Sequence, residues 1–174
     1  MNAPMHAAGA RPRPGERLPS FALPSDAGGT VRLWDYKQRQ PVLLALLHGA
    51  ECATCGAWLA ARAGARERLD EARVAVVVVA PEPVERLRAL RSALELPFAL
   101  LSDAPERATV ASYLAPGEER AGVALYAADR YGVCLGVWRA ADASGLPALD
   151  APLADFALAK QSDCACALPA WDEE

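Results

Sequence analysis

The chain has 174 residues, 53% of them hydrophobic and 23% charged, with a formal net charge of −4. That is enough for one domain with a full core and too little for two comfortable ones. The composition speaks against disorder outside the ends, and the negative balance against a protein that grips nucleic acid or anionic lipid through a basic face. No stretch approaches the roughly 20 apolar residues that cross a bilayer, and the opening "MNAPMHAAGARPRPGER" lacks the apolar core of a secretory leader. The expected address is therefore cytoplasmic, where paired cysteines serve catalysis or metal binding more often than structural disulfides. Five are present: Cys52, Cys55, Cys134, Cys164 and Cys166.

Taken in chain order, residues 1–15 form an expected flexible arm carrying Pro4, Pro12 and Pro14. "LPSFALPSDAGGTVRLWDY" predicts two short strands around Ser25-Asp26-Ala27-Gly28-Gly29, where the glycines supply the positive φ of a hairpin turn. Val42–Leu47 is a continuous apolar run between Pro41 and Gly49, the pattern of a strand buried on both faces. Residues 53–70 hold strong helix formers, with Arg62, Arg66, Glu67 and Asp70 on the expected wet side. Val74–Ala80 predicts a second buried strand. A helix follows near Pro83, with Val84, Leu87, Leu90 and Leu94 at helical spacing.

"FALLSD" predicts a short strand, and "PERATVASYL" a short helix opening on Pro105 with Ser102 or Asp103 as cap. "GVALYAADRYGVCLGVW" predicts a hairpin turning at residues 129–132. "DAPLADFALAK" is a closing helix, and residues 162–174 an expected tail carrying Cys164-Ala165-Cys166. The order β-β-β-α-β-α-β-α-β-β-α implies one α/β domain over 16–161, a mixed sheet covered on both faces and preceded by a hairpin.

Cys52-Ala53-Thr54-Cys55 falls where a strand gives way to a helix. A helix N-terminus presents unpaired N–H groups and about half a positive charge, which stabilise a thiolate and lower the thiol pKa. Two cysteines three apart on that turn can also close a disulfide, giving a two-electron switch. Glu51, beside Cys52, is expected to oppose ionisation. His48 is either a cation or proton acceptor for the pair, or a strand-end residue facing solvent. Trp58 is expected in the core, with Arg62 and Arg66 as solvated residues or minor support for a thiolate. Cys134 reads as a small packed hydrophobe. Cys164 and Cys166 are an exposed pair without a role, or a second dithiol that reduces the first. A four-thiolate zinc site with Cys52 and Cys55 is the poorest match, because one half is Cys-x-Cys.

Four segments in the correct order resemble the thioredoxin superfamily and, within it, the peroxiredoxin-like branch (alkyl hydroperoxide reductase/thiol-specific antioxidant family). They are "GERLPSFALPSDAGGTVRLWDY", "PVLLALLHGAECATCGAW", "LPFALLSDAPERATVASYL" and "ALYAADRYGVCLGVW". The resemblance implies a thioredoxin-like three-layer sandwich. It also places Cys55 at the branch's peroxide-attacking position, Cys52 where that branch has threonine, and His48 where it has proline. Val123 stands where the resemblance expects an arginine that holds the thiolate, with Arg120 nearby but off register. Val123 also stands where a thioredoxin has its cis-proline.

The activity implied is thiol–disulfide oxidoreduction with no organic cofactor: Cys52 attacks, Cys55 resolves, and Thr54, His48 and Glu51 surround them. A thioredoxin-type protein or a small thiol is the expected reductant, a protein or small-molecule disulfide or a peroxide the expected substrate, and a homodimer a state common in such domains. A weak thiol-dependent peroxidase with Cys55 attacking is the alternative enzyme. A zinc- or partner-binding domain on the same fold is the alternative outside catalysis.

Overall fold

The computed structural model describes residues 11–113 and 122–164. A five-stranded sheet runs in the order β5-β4-β3-β6-β7. Its strands are β3 (Val42–Leu46), β4 (Ala75–Ala80), β5 (Leu100–Ser102), β6 (Val123–Ala128) and β7 (Cys134–Ala140). β3, β4 and β5 are parallel neighbours, whereas β6 runs antiparallel to both β3 and β7. β3 and β6, at the centre, are buried along their whole length, which is why both are written as unbroken apolar runs rather than as alternation.

Alternate residues of these strands feed two cores. Leu43, Ala45, Val78, Leu100 and Leu125 pack with Trp58, Leu59, Leu69, Leu87 and Phe156. Those residues come from α1 (Ala53–Gly64), α2 (Arg66–Glu71), α3 (Val84–Ala93) and α5 (Asp150–Cys164). On the other face Leu44, Leu46, Val77 and Tyr126 pack with Leu18, Phe21, Leu23, Val110 and Tyr113. That layer is the small hairpin of β1 (Ala22–Pro24) and β2 (Thr30–Arg32), together with α4 (Ala108–Tyr113). The three layers are those of the thioredoxin-like sandwich.

Two buried aspartates fasten the hairpin face. Asp26, 2% exposed, accepts the Leu100 N–H at 2.7 Å, and its own N–H donates to the Leu100 carbonyl. Both carboxylate oxygens of Asp103 cap α4, accepting from Thr109 N at 3.1 Å and Val110 N at 2.7 Å. The expected helix from Pro105 therefore starts later, at Ala108, but on the expected cap. The Tyr113 hydroxyl donates to the Pro19 carbonyl and ties α4 to the chain entering the hairpin.

Several boundaries differ from expectation. The helix expected over 53–70 breaks at Ala65, between Gly64 and Arg66, into α1 and α2. Residues 13–15, within the expected arm, are held: Gly15 N donates to the Cys134 carbonyl, and Arg13 N to the Glu16 carboxylate. Residues 1–10 lie outside the described residues. At the other end α5 continues through 161–164, so Cys164 closes a helix rather than opening a tail. Cys166 and the rest of that segment lie outside the described residues. No described helix is long and apolar enough to cross a membrane.

Candidate active site

β3 ends against β4, and the chain turns through His48, Gly49, Ala50 and Glu51 into α1. Gly49 has φ +146, and a Cβ there would sit 2.5 Å from a carboxylate oxygen of Glu82. Cys52 is the N-cap of α1, with extended backbone and its sulfur accepting from Cys55 N at 3.4 Å. Sulfur here takes the place of the oxygen that usually caps a helix. Thr54 Oγ1 stands 3.2 Å from the same sulfur and His48 Nδ1 at 3.7 Å. The hydroxyl donates whenever the sulfur is ionised, and the ring does so when Nδ1 carries the proton.

The electrostatics follow from these contacts. Burial alone would raise the Cys52 pKa. Hydrogen bonds from the Cys55 thiol, the Thr54 hydroxyl, His48 and the Cys55 amide outweigh it and bring the thiol down to about 6. Cys55 is fully buried, and that burial, with the neighbouring Cys52 sulfur, pushes it up to about 12 despite backbone contacts with His48 and Gly49. The two cysteines are free thiols, and the Sγ atoms lie within 4.8 Å of each other and of a His48 ring nitrogen. A disulfide would bring these sulfurs to roughly 2 Å.

The remaining candidates sort as follows. The Glu51 carboxylate pairs with Arg86 of α3 at 3.0 Å and is not among the main influences on Cys52. The adjacent guanidinium offsets part of the charge expected to oppose ionisation. Trp58 is in the core, 6% exposed. Arg62, expected in water, is also 6% exposed; it stacks over the Trp58 ring at 4.4 Å and donates to the Pro147 carbonyl at 2.7 Å. Arg66 is exposed and pairs with Asp70. Neither arginine supports the thiolate. Val123 is fully buried in the same core as Cys55. Cys134 packs at the start of β7, donating to the Gly136 carbonyl, and burial pushes it up to about 11.

Cys164 is placed only as the last residue of α5; its side chain and Cys166, and with them the second dithiol and the four-thiolate zinc site, lie outside what the structure describes. The metal-competent group among the described residues is His48, Cys52 and Cys55, whose three donors fall one short of a closed tetrahedral zinc site.

Sequence reasoning missed the capping geometry of Cys52 and the burial of Arg62. The first was signalled by Cys-x-x-Cys at a helix start, where position N3 offers its amide to the cap. The second carried only a faint signal, Trp58 and Arg62 four apart on one helical face.

A mixed sheet between helical layers, with two facing thiols at the head of its first long helix, defines a thiol redox protein on a thioredoxin fold. A model of the AhpC/TSA family matches residues 14–134. Two Mycobacterium tuberculosis proteins named as peroxiredoxins, from strains CDC 1551 and H37Rv, are each 33% identical over 110 residues, 62% of this chain and 67% of theirs. A thiol peroxidase from Chromobacterium violaceum superposes with TM-score 0.71 at 25% identity, covering 88% of this chain and 91% of its own. The peroxidoxin BcpB of M. tuberculosis superposes with TM-score 0.70 at 20% identity, covering 85% and 98%. The chain belongs to the AhpC/TSA family and is a thiol-dependent oxidoreductase.

Proposed function

We propose that the protein is a thiol–disulfide oxidoreductase of the peroxiredoxin-like type, cycling Cys52 and Cys55 between dithiol and disulfide. The observation that carries this is the asymmetry of the pair. Cys52 is half-exposed and held near a pKa of about 6 by donors converging on its sulfur, whereas Cys55 is buried and protonated within reach of it. The Cys52 thiolate attacks one sulfur of the substrate disulfide, forming a mixed disulfide and expelling a thiolate. Cys55 gives its proton to the medium and attacks Cys52, which releases the second thiolate. The substrate gains two electrons and the protein closes its disulfide. A thioredoxin-type protein or a small thiol returns the electrons, which suits a reducing, cytoplasmic setting. Homodimerisation is the expected assembly, measured by sedimentation.

Peroxide is the second oxidant, supported by the similarity to a thiol peroxidase and by the attacking position that the resemblance assigns to Cys55. Burial of Cys55 and its raised pKa weigh against that sulfur as the attacker, because the thiolate is the nucleophile. A disulfide map by mass spectrometry after mild peroxide treatment of the native protein tests the cycle. A Cys52–Cys55 link is expected, and finding both thiols free overturns it. Cys55→Ser should stall with substrate trapped on Cys52, and insulin reduction against peroxide consumption separates the two oxidants.

A further inference from the structure

Beside Cys52 lies an open groove between α1 and the segment 143–148, lined by Thr54, Trp58, Arg62, Ser144 and Pro147 among others. Thr54 is shared with the thiol site, where its hydroxyl faces the Cys52 sulfur. Arg62 is the anomaly. It is buried, yet no carboxylate of the described residues lies within ion-pair distance of it. Its one hydrogen-bond acceptor is the neutral Pro147 carbonyl. Arg62 Nε and Trp58 Nε1 are buried donors with no partner. The acid just before that segment, Asp142, is engaged by Ser144 through both its amide and its hydroxyl.

The Arg62 side chain is buried, its Nη2 meets only a neutral carbonyl and its Nε has no partner, so its charge is compensated by no anion among the described residues. A carboxylate supplies both the missing charge and a planar, two-pronged acceptor. The distances fit a substrate that also reaches the thiol. Arg62 leans back over Trp58, six residues beyond Cys52, which places the cation about 9 Å along the helix from the sulfur at 1.5 Å per residue.

We propose that this groove docks the anionic end of the substrate, with Arg62 meeting a carboxylate, so that the protein prefers negatively charged disulfides of about tripeptide size. The inference rests on Cys52 as the attacking sulfur. The carboxylate binds at Arg62 and delivers the disulfide to Cys52 over Thr54; the bond exchange that follows is the one already written.

The test is single-turnover oxidation of the reduced full chain by three disulfides, read as loss of two protein thiols. Oxidised glutathione is anionic, bis(2-hydroxyethyl) disulfide neutral and cystamine cationic, and each rate is divided by that of the same disulfide with free 2-mercaptoethanol. Corrected rates should favour oxidised glutathione over the neutral disulfide by about tenfold, the scale of one hydrogen-bonded charge, with cystamine slowest. Added salt should erode that advantage and leave the neutral rate unchanged. Arg62→Gln should level the series, and Arg62→Lys should keep part of it. A purely structural tether to Pro147 predicts lower stability in Arg62→Gln with selectivity intact, and that result overturns the proposal. So do equal corrected rates in the wild type, a comparison that stands even where a variant fails to fold. If all three react equally, redox cycling stands and the groove assignment alone falls; if none oxidises the pair, both fall.

Discussion

The first turn of α1 and the first residue of β7 each present a cysteine, and the surroundings make opposite use of them. At α1 the Cys52 sulfur caps a helix and collects an amide, a hydroxyl and an imidazole, which outweigh burial and bring it to about 6. At β7 the Cys134 thiol lies in an apolar layer, donates to a carbonyl instead of accepting, and is driven up to about 11. Burial differs between them and decides the outcome at Cys134, which is 1% exposed and driven up chiefly by loss of water. At the partly exposed Cys52, donors aimed at the sulfur favour the anion and outweigh what burial there is.

The hardest test of this contrast is to remove each sulfur. Cys52→Ser should bring disulfide turnover down to the uncatalysed background, while Cys134→Ala should keep it within about twofold, as expected of a packing residue; an insulin-reduction assay measures both. Next in size is the pH response. Iodoacetamide modification of native reduced protein should rise with pH through about 6 at Cys52 and level off above it, because the anion reacts and its pKa is depressed. Cys134 should stay unmodified at neutral pH. A Cys52 midpoint near the ordinary thiol value would break the comparison.

Thr54→Val sharpens it, since a lost hydrogen bond to a charged sulfur should raise the Cys52 midpoint by about one unit. The smallest effect belongs to Glu51→Gln. With its carboxylate held by exposed Arg86, neutralising it should move the midpoint by less than about 0.3 unit. A fall of a full unit would show that Glu51 does act on the sulfur.

The fold was legible because its strands declare themselves: Val42–Leu46 and Val123–Ala128 are apolar at every position, and only a strand buried on both sides needs that. The hairpin turn declared itself through Gly28 and Gly29, both at positive φ in the structure. Less legible were features that depend on what lies far along the chain. Nothing near Asp26 indicates that its carboxylate meets Leu100, and nothing near Arg62 indicates that Pro147 will cover it. The ion pair of Glu51 was hidden for the same reason, its partner Arg86 being 35 residues away. At the site, the pair and its helix start were local and readable, whereas the ranking of its two sulfurs by exposure required packing. The continuation of α5 to Cys164 ran against a polar stretch whose local pattern gives no helical face.

The crowding at Gly49 reaches beyond conformation. At φ +146 any side chain is strained whatever the space, and a β-carbon would also push aside the Glu82 carboxylate, which pairs with Arg86 of α3 at 3.7 Å. A saturation library at position 49, selected for growth under oxidative stress, should return glycine almost alone, while neighbouring Ala50 tolerates substitution. Engineers wishing to redesign this catalyst have one fixed point in its loop, and it is the residue with no side chain at all.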